Sequence, residues 1–175
     1  MATATGKLSR ALILDAAGRL IEKDGMDGLS MRRLAQELDV WPMSVYRYFQ
    51  HKDALLDALA DEAVIGVAGP SAGGPWRRRV EGMVAGIRTA LDASPAGLRQ
   101  RIGAPGLTPS MRELSEDGVA VLREAGLGEE EAASAWRALL GYTFGAAALG
   151  EGDGSFEYGL DRLLDGIEGT LGSAR

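Results

Sequence analysis

Apolar residues at three-and-four spacing, renewed in segment after segment between start and stop signals, constrain this chain more than any other feature. Ile13, Ala16, Ala17, Leu20 and Ile21 fall on one face of a helix expected over residues 9–23, because 3.6 residues per turn bring positions three and four apart into line. No stretch alternates apolar and polar residues as a half-buried strand would. The chain is therefore expected to be all-α.

The punctuation divides it further. Lys23-Asp24-Gly25 is a stop signal, followed by a turn through Gly28. Ser30 stands at the cap of a second helix, Met31 to Leu38, where its hydroxyl can accept from free first-turn amides. Asp39-Val40-Trp41 breaks the pattern, and Pro42 restarts a helix to about Phe49, losing no needed hydrogen bond in the first turn. Lys52-Asp53 opens a fourth helix, with Leu55, Leu56, Leu59, Ala63 and Val64 inward. Small residues and turn formers over residues 66–74 read as a linker. Beyond it, helices are expected over residues 75–93, 96–102, 109–126, 129–149 and 156–171, with breaks at Ser94-Pro95, 103–106 and 150–154. Glu129, Glu130 and Glu131 place carboxylates in a positive first turn. The expected organisation is a helix-turn-helix domain over 1–66 and a larger helical domain over 75–175.

Composition narrows the function classes. With 175 residues, 46% apolar, a packed core is within reach. The chain has no cysteine and one histidine, which removes disulfides, thiolate metal sites and cysteine nucleophiles together. The first residues show no apolar secretory segment, and the longest apolar run, from Tyr142 to Leu149, is too short to cross a bilayer. A cytoplasmic protein without a membrane partner is expected. Net charge is −6, adverse for a nucleic-acid binder until it is divided. Residues 1–52 carry eight Lys/Arg against six Asp/Glu, and residues 53–175 eleven against nineteen. Salt screens exposed charges beyond about 8 Å, so a mildly basic head on an acidic body can still approach phosphate.

Two short helices joined by a tight turn describe a helix-turn-helix. Leu34, Ala35, Leu38, Val40 and Val45 would form its inner face, with Ala35 small enough for close approach. Asp39 falls where the turn needs a left-handed residue, a conformation aspartate tolerates better than most. Trp41, Met43, Ser44, Tyr46, Arg47 and Tyr48 would point outward, with Lys52 just beyond and Arg32 on the preceding helix. Such a face can enter a major groove: donors meet base edges and phosphates, and Met43 and Trp41 can meet thymine methyls. On pattern alone, a buried helical hairpin with solvated polar residues, a protein-interaction module and an all-α enzyme stay open. The enzyme lacks a nucleophile with a base, a metal cluster or a phosphate cradle, so no catalytic residue, metal or cofactor is expected.

Residues 28–38, Gly-Leu-Ser-Met-Arg-Arg-Leu-Ala-Gln-Glu-Leu, and residues 42–56, Pro-Met-Ser-Val-Tyr-Arg-Tyr-Phe-Gln-His-Lys-Asp-Ala-Leu-Leu, resemble the DNA-binding domain of the TetR family in order and spacing. Asp39 departs from the glycine usual at the turn. The resemblance implies that Ser30, Arg32, Trp41, Pro42, Met43, Ser44, Tyr46, Tyr48 and Lys52 face double-stranded DNA. Residues 75–80 and 141–145 resemble, more loosely, the C-terminal domains of members near the tetracycline repressor. That resemblance implies a homodimer through a four-helix bundle, a pocket for a small-molecule effector, and repression at a palindromic operator. Small residues such as Ala132, Ala133, Ala135, Gly141, Gly145 and Ala146 suit a close helix interface or a tight core equally. Trp76, Met83, Met111, Trp136, Tyr142 and Phe144 are the candidate pocket residues, although such side chains at helical spacing are commonly core. With His51 the lone histidine and beside the reading helix, a tetracycline–magnesium site built on an effector-domain histidine is not expected.

Overall fold

The computed structural model describes residues 8–67, 69, 73–102, 108–150 and 152–173. The expected loop at 103–106, residues 68 and 70–72 of the expected linker, and the first seven residues lie outside them. All regular structure among the described residues is helical: α1 (Arg10–Gly28), α2 (Met31–Glu37), α3 (Pro42–Tyr46), α4 (Lys52–Ile65), α5 (Trp76–Ala93), α6 (Ala96–Ile102), α7 (Pro109–Ala125), α8 (Glu129–Leu149) and α9 (Asp153–Ser173). The chain divides into two compact units, Met1–Ala60 and Asp61–Arg175. No helix among the described residues is long and apolar enough to cross a membrane.

In the first unit, α1 starts at Ser9, whose Oγ accepts the Leu12 N–H at 3.2 Å. Its apolar stripe of Ile13, Ala16, Ala17, Leu20 and Ile21 is buried as the spacing requires. The expected stop at Gly25 is a break within a longer helical stretch. Gly25 takes φ 73°, ψ 179°, and helical geometry resumes to Gly28. A left-handed φ at that point favours glycine, which has no Cβ to clash with the backbone. Ile13, Leu34, Val45 and Leu55 are fully shielded from solvent, each contributing about 1.5–3 kcal/mol by burial. Leu38 and Val40, expected inward, are only half-buried.

The second unit is built from longer helices. α5 buries Val80, Met83, Val84, Ile87 and Leu91, and α7 buries Met111, Leu114, Val121 and Leu122. α8 lies against both and buries Trp136 and Leu139. Gly118 of α7 makes room for the indole: a Cβ there would lie 2.5 Å from the Trp136 ring. Thr108 caps α7 by accepting the Met111 N–H at 3.3 Å, and Gly126 closes it in the left-handed region at φ 119°, as a C-terminal glycine does. α9 returns along α8, where the Phe156 ring stacks parallel on Tyr142 at 5.5 Å. Arg77 of α5 ties to Glu81 and to Asp161, Asp165 and Glu168 of α9. Its hydrogen bond to Asp161, more than any other partner, holds the guanidinium above its ordinary value despite opposing desolvation.

Candidate nucleic-acid interface

The reading element is set by caps and by one left-handed residue. Ser30 Oγ accepts the Arg33 N–H at 3.2 Å, fixing the start of α2. At its end the Asp39 N–H donates to the Gln36 carbonyl (3.1 Å) and the Val40 N–H to the Ala35 carbonyl (3.0 Å). Asp39 sits at φ 51°, among the described residues the one non-glycine residue at positive φ. The turn thus has the backbone that its sequence position demanded. Trp41 precedes α3 in extended geometry, with Pro42 in the first turn. α3 stops at Tyr46, three residues short of the expected Phe49. The Tyr48 N–H bonds the Val45 carbonyl at 2.9 Å, an i−3 bond that tightens the chain into a turn.

On this short helix only Val45 is buried. Trp41 is 83% exposed and Met43 71% exposed, and Tyr46, Arg47 and Tyr48 are exposed as well. Pro42 and Ser44 are half-buried beside them. Two large apolar side chains held in water, one on this helix and one just ahead of it, cost solvation free energy, so the surface is built to be covered. Arg32 and Arg47 are exposed, two cations open to phosphate.

Two of the expected DNA-facing residues are engaged elsewhere. Tyr48 donates its hydroxyl proton to the Leu8 carbonyl at 2.5 Å, which leaves the phenol oxygen only as an acceptor. Lys52 is half-buried and gives one of its ammonium protons to the Met26 carbonyl at 2.9 Å. Both therefore position the reading element against the two ends of α1. Ser30 likewise spends its oxygen on the cap and keeps only its O–H to offer.

Three contributors escaped the sequence reading. His51 Nδ1 accepts the Ala54 N–H at 3.1 Å and so caps α4. Its place immediately before Lys52-Asp53 was the available signal. Arg10 lies over the Phe49 ring at 4.5 Å, a cation–π contact across the core edge. Arg33 pairs with Asp24 and reaches the Gly28 carbonyl, tying α2 to the end of α1.

The six candidate pocket residues separate by burial. Met83, Met111 and Trp136 are almost wholly buried on α5, α7 and α8, whereas Trp76, Tyr142 and Phe144 are half-buried. A groove of about 750 Å³ between α5 and α9 is lined by Glu81, Arg88, Asp92, Phe156, Tyr158 and Asp161 among others, and none of the six lines it. No group of three or more His, Cys, Asp or Glu among the described residues could hold a metal ion.

Comparison with known proteins follows the same division. Residues 13–59 match the family described as bacterial regulatory proteins, tetR family, and residues 69–149 match the tetracyclin repressor-like C-terminal domain. The HTH-type transcriptional repressor DrrR1 of Streptomyces coeruleorubidus is 34% identical over 137 residues, 77% of this chain and 51% of that protein. The chain thus spans about half the length of that relative. A possible TetR family transcriptional regulator from Streptomyces coelicolor A3(2) superposes with a TM-score of 0.81 at 30% identity, covering 93% of this chain and 100% of that one. BioQ, solved with its natural double-stranded DNA operator, superposes with a TM-score of 0.79 at 28% identity, covering 92% and 98%. With the capped helix-turn-helix, the left-handed turn and the all-helical second unit, these matches make the chain a member of the TetR family of bacterial regulatory proteins.

Proposed function

We propose that this chain is a DNA-binding transcriptional regulator, a repressor that binds a palindromic operator as a homodimer and is released by a small-molecule effector. The observation that carries it is α3, a five-residue helix anchored by Val45 alone, whose Met43 and Tyr46 stand in solvent together with Trp41 and Arg47 at its two ends. A helix of that length reads few base pairs, so specificity requires two heads on half-sites about 34–36 Å apart. Gly141 and Gly145 lie on the exposed side of α8 with open space around them, which suits close approach of a second copy. BioQ's operator complex and DrrR1's designation as a repressor support the DNA partner and the sign of regulation. The reading assigns no catalytic role, since the lone histidine is committed to capping α4, and it places the protein in the cytoplasm with its DNA.

Fluorescence anisotropy with labelled duplexes from the gene's own upstream region tests this. Saturable binding of two chains per duplex is expected, weakening about a hundredfold or more between 50 and 200 mM salt as counterions are released. Binding indifferent to salt and sequence, or a chain that is monomeric at working concentration and on the duplex, would sink the reading.

A further inference from the structure

The first turn of α3 carries Pro42, Met43 and Ser44, and of these Met43 alone is exposed, at 71%. Its backbone is held on both sides. The Ser44 N–H donates to the Trp41 carbonyl at 2.8 Å, and the Met43 carbonyl accepts the Arg47 N–H at 3.2 Å. A thioether is thus presented to solvent from a fixed point of the helix. Several polar groups of the reading element are engaged in holding the unit together. Tyr48 gives its hydroxyl proton to the Leu8 carbonyl, Lys52 reaches the Met26 carbonyl, and the Ser30 oxygen accepts the Arg33 N–H. Trp41, one residue ahead of the helix and 83% exposed, extends the same end with a ring rather than a charge.

A recognition helix meets base edges with its first residues. Arginine or lysine at such a place reads guanine, and asparagine or glutamine reads adenine, each through paired hydrogen bonds. A thioether has no proton to donate and accepts only weakly, so it reads neither. Among the four bases only thymine offers the major groove an apolar group, its C5-methyl. A long, unbranched and polarisable side chain closes on that methyl without requiring one fixed distance. We infer that Met43 is a specificity-determining residue, and that each operator half-site sets a thymine methyl against its thioether. This rests on the proposed role of α3 as the DNA-reading helix and adds the base chemistry that the helix selects. Each methyl withdrawn from water is worth about fourfold in affinity, and one in each of two half-sites about fifteenfold.

The full chain provides the test, with two labelled duplexes of the same upstream sequence, one made with thymidine and the other with deoxyuridine throughout. Uracil pairs with adenine as thymine does and lacks only the methyl. The wild type is expected to bind the uracil duplex about fifteenfold more weakly. Met43→Ala, at an exposed position and so without effect on melting temperature, is expected to weaken binding to the thymine duplex by about the same factor and to bind the two duplexes alike. Equal affinities in the wild type overturn the assignment. So does a gap above about fourfold that survives in Met43→Ala, since the methyls then act on another residue or on the shape of the duplex. The wild-type pair alone decides the matter if the variant fails to fold. Equal binding of both duplexes, with two chains on each, leaves the regulator reading standing and removes the methyl contact. A wild type that binds neither duplex removes the reading beneath it and the assignment together.

Discussion

The two units of this chain treat large apolar side chains in opposite ways. In the first, Trp41 and Met43 are held in solvent at the start of a helix of five residues, fixed by one buried valine and a set of caps. In the second, Trp136, Met83 and Met111 are withdrawn almost completely between helices of seventeen to twenty-one residues. The first unit presents apolar side chains for contact, whereas the second spends them on its own packing. The first unit is therefore specified by backbone details and the second by volume.

Mutations can break or sharpen that contrast. Leu34→Ala, at a fully buried position of α2, should cost about 2–5 kcal/mol. Amide exchange should accelerate through α1–α3 with α7 and α8 unchanged; equal acceleration in both units would remove the distinction between them. Gly118→Val should cost about 1–3 kcal/mol by overpacking against Trp136, seen as a lower melting temperature and altered tryptophan fluorescence. A variant as stable as the parent would show that the indole seat is loose. Tyr46→Ala and Arg47→Ala should each weaken operator binding by about 1–3 kcal/mol, while melting shifts stay within about 0.5 kcal/mol because both side chains are exposed. Unchanged affinity in both would move the reading surface elsewhere. Asp39→Gly is the smallest. Relief of the left-handed strain is nearly offset by the extra freedom of glycine in the unfolded chain, leaving a gain of roughly a few tenths of a kcal/mol. Chemical denaturation of the two proteins side by side measures it.

The same contrast explains what could be read from sequence. Ser30, Asp39, Pro42 and Gly126 act through their own backbone or their immediate neighbours, so residue type and position were enough to place them. α3 ends early where the Tyr48 N–H bonds the Val45 carbonyl three residues back, between the buried Val45 and Phe49. Lys52 and Tyr48 look like free donors in the sequence because their acceptors, the Met26 and Leu8 carbonyls, lie 26 and 40 residues away. Spacing along one helix carries no information about such bonds. The pocket was the least legible part. Met83, Met111 and Trp136 at helical spacing look alike whether they fill a core or line a cavity, because both demand large apolar side chains turned inward.

The bond from Tyr48 to the Leu8 carbonyl has a practical side. It fastens Leu8, just ahead of α1, to the end of the reading element, beside the surface proposed for DNA. On the proposed docking, a purification tag at that end would be a neighbour of the operator. Its charge and length belong among the controlled variables of every affinity measured with this protein.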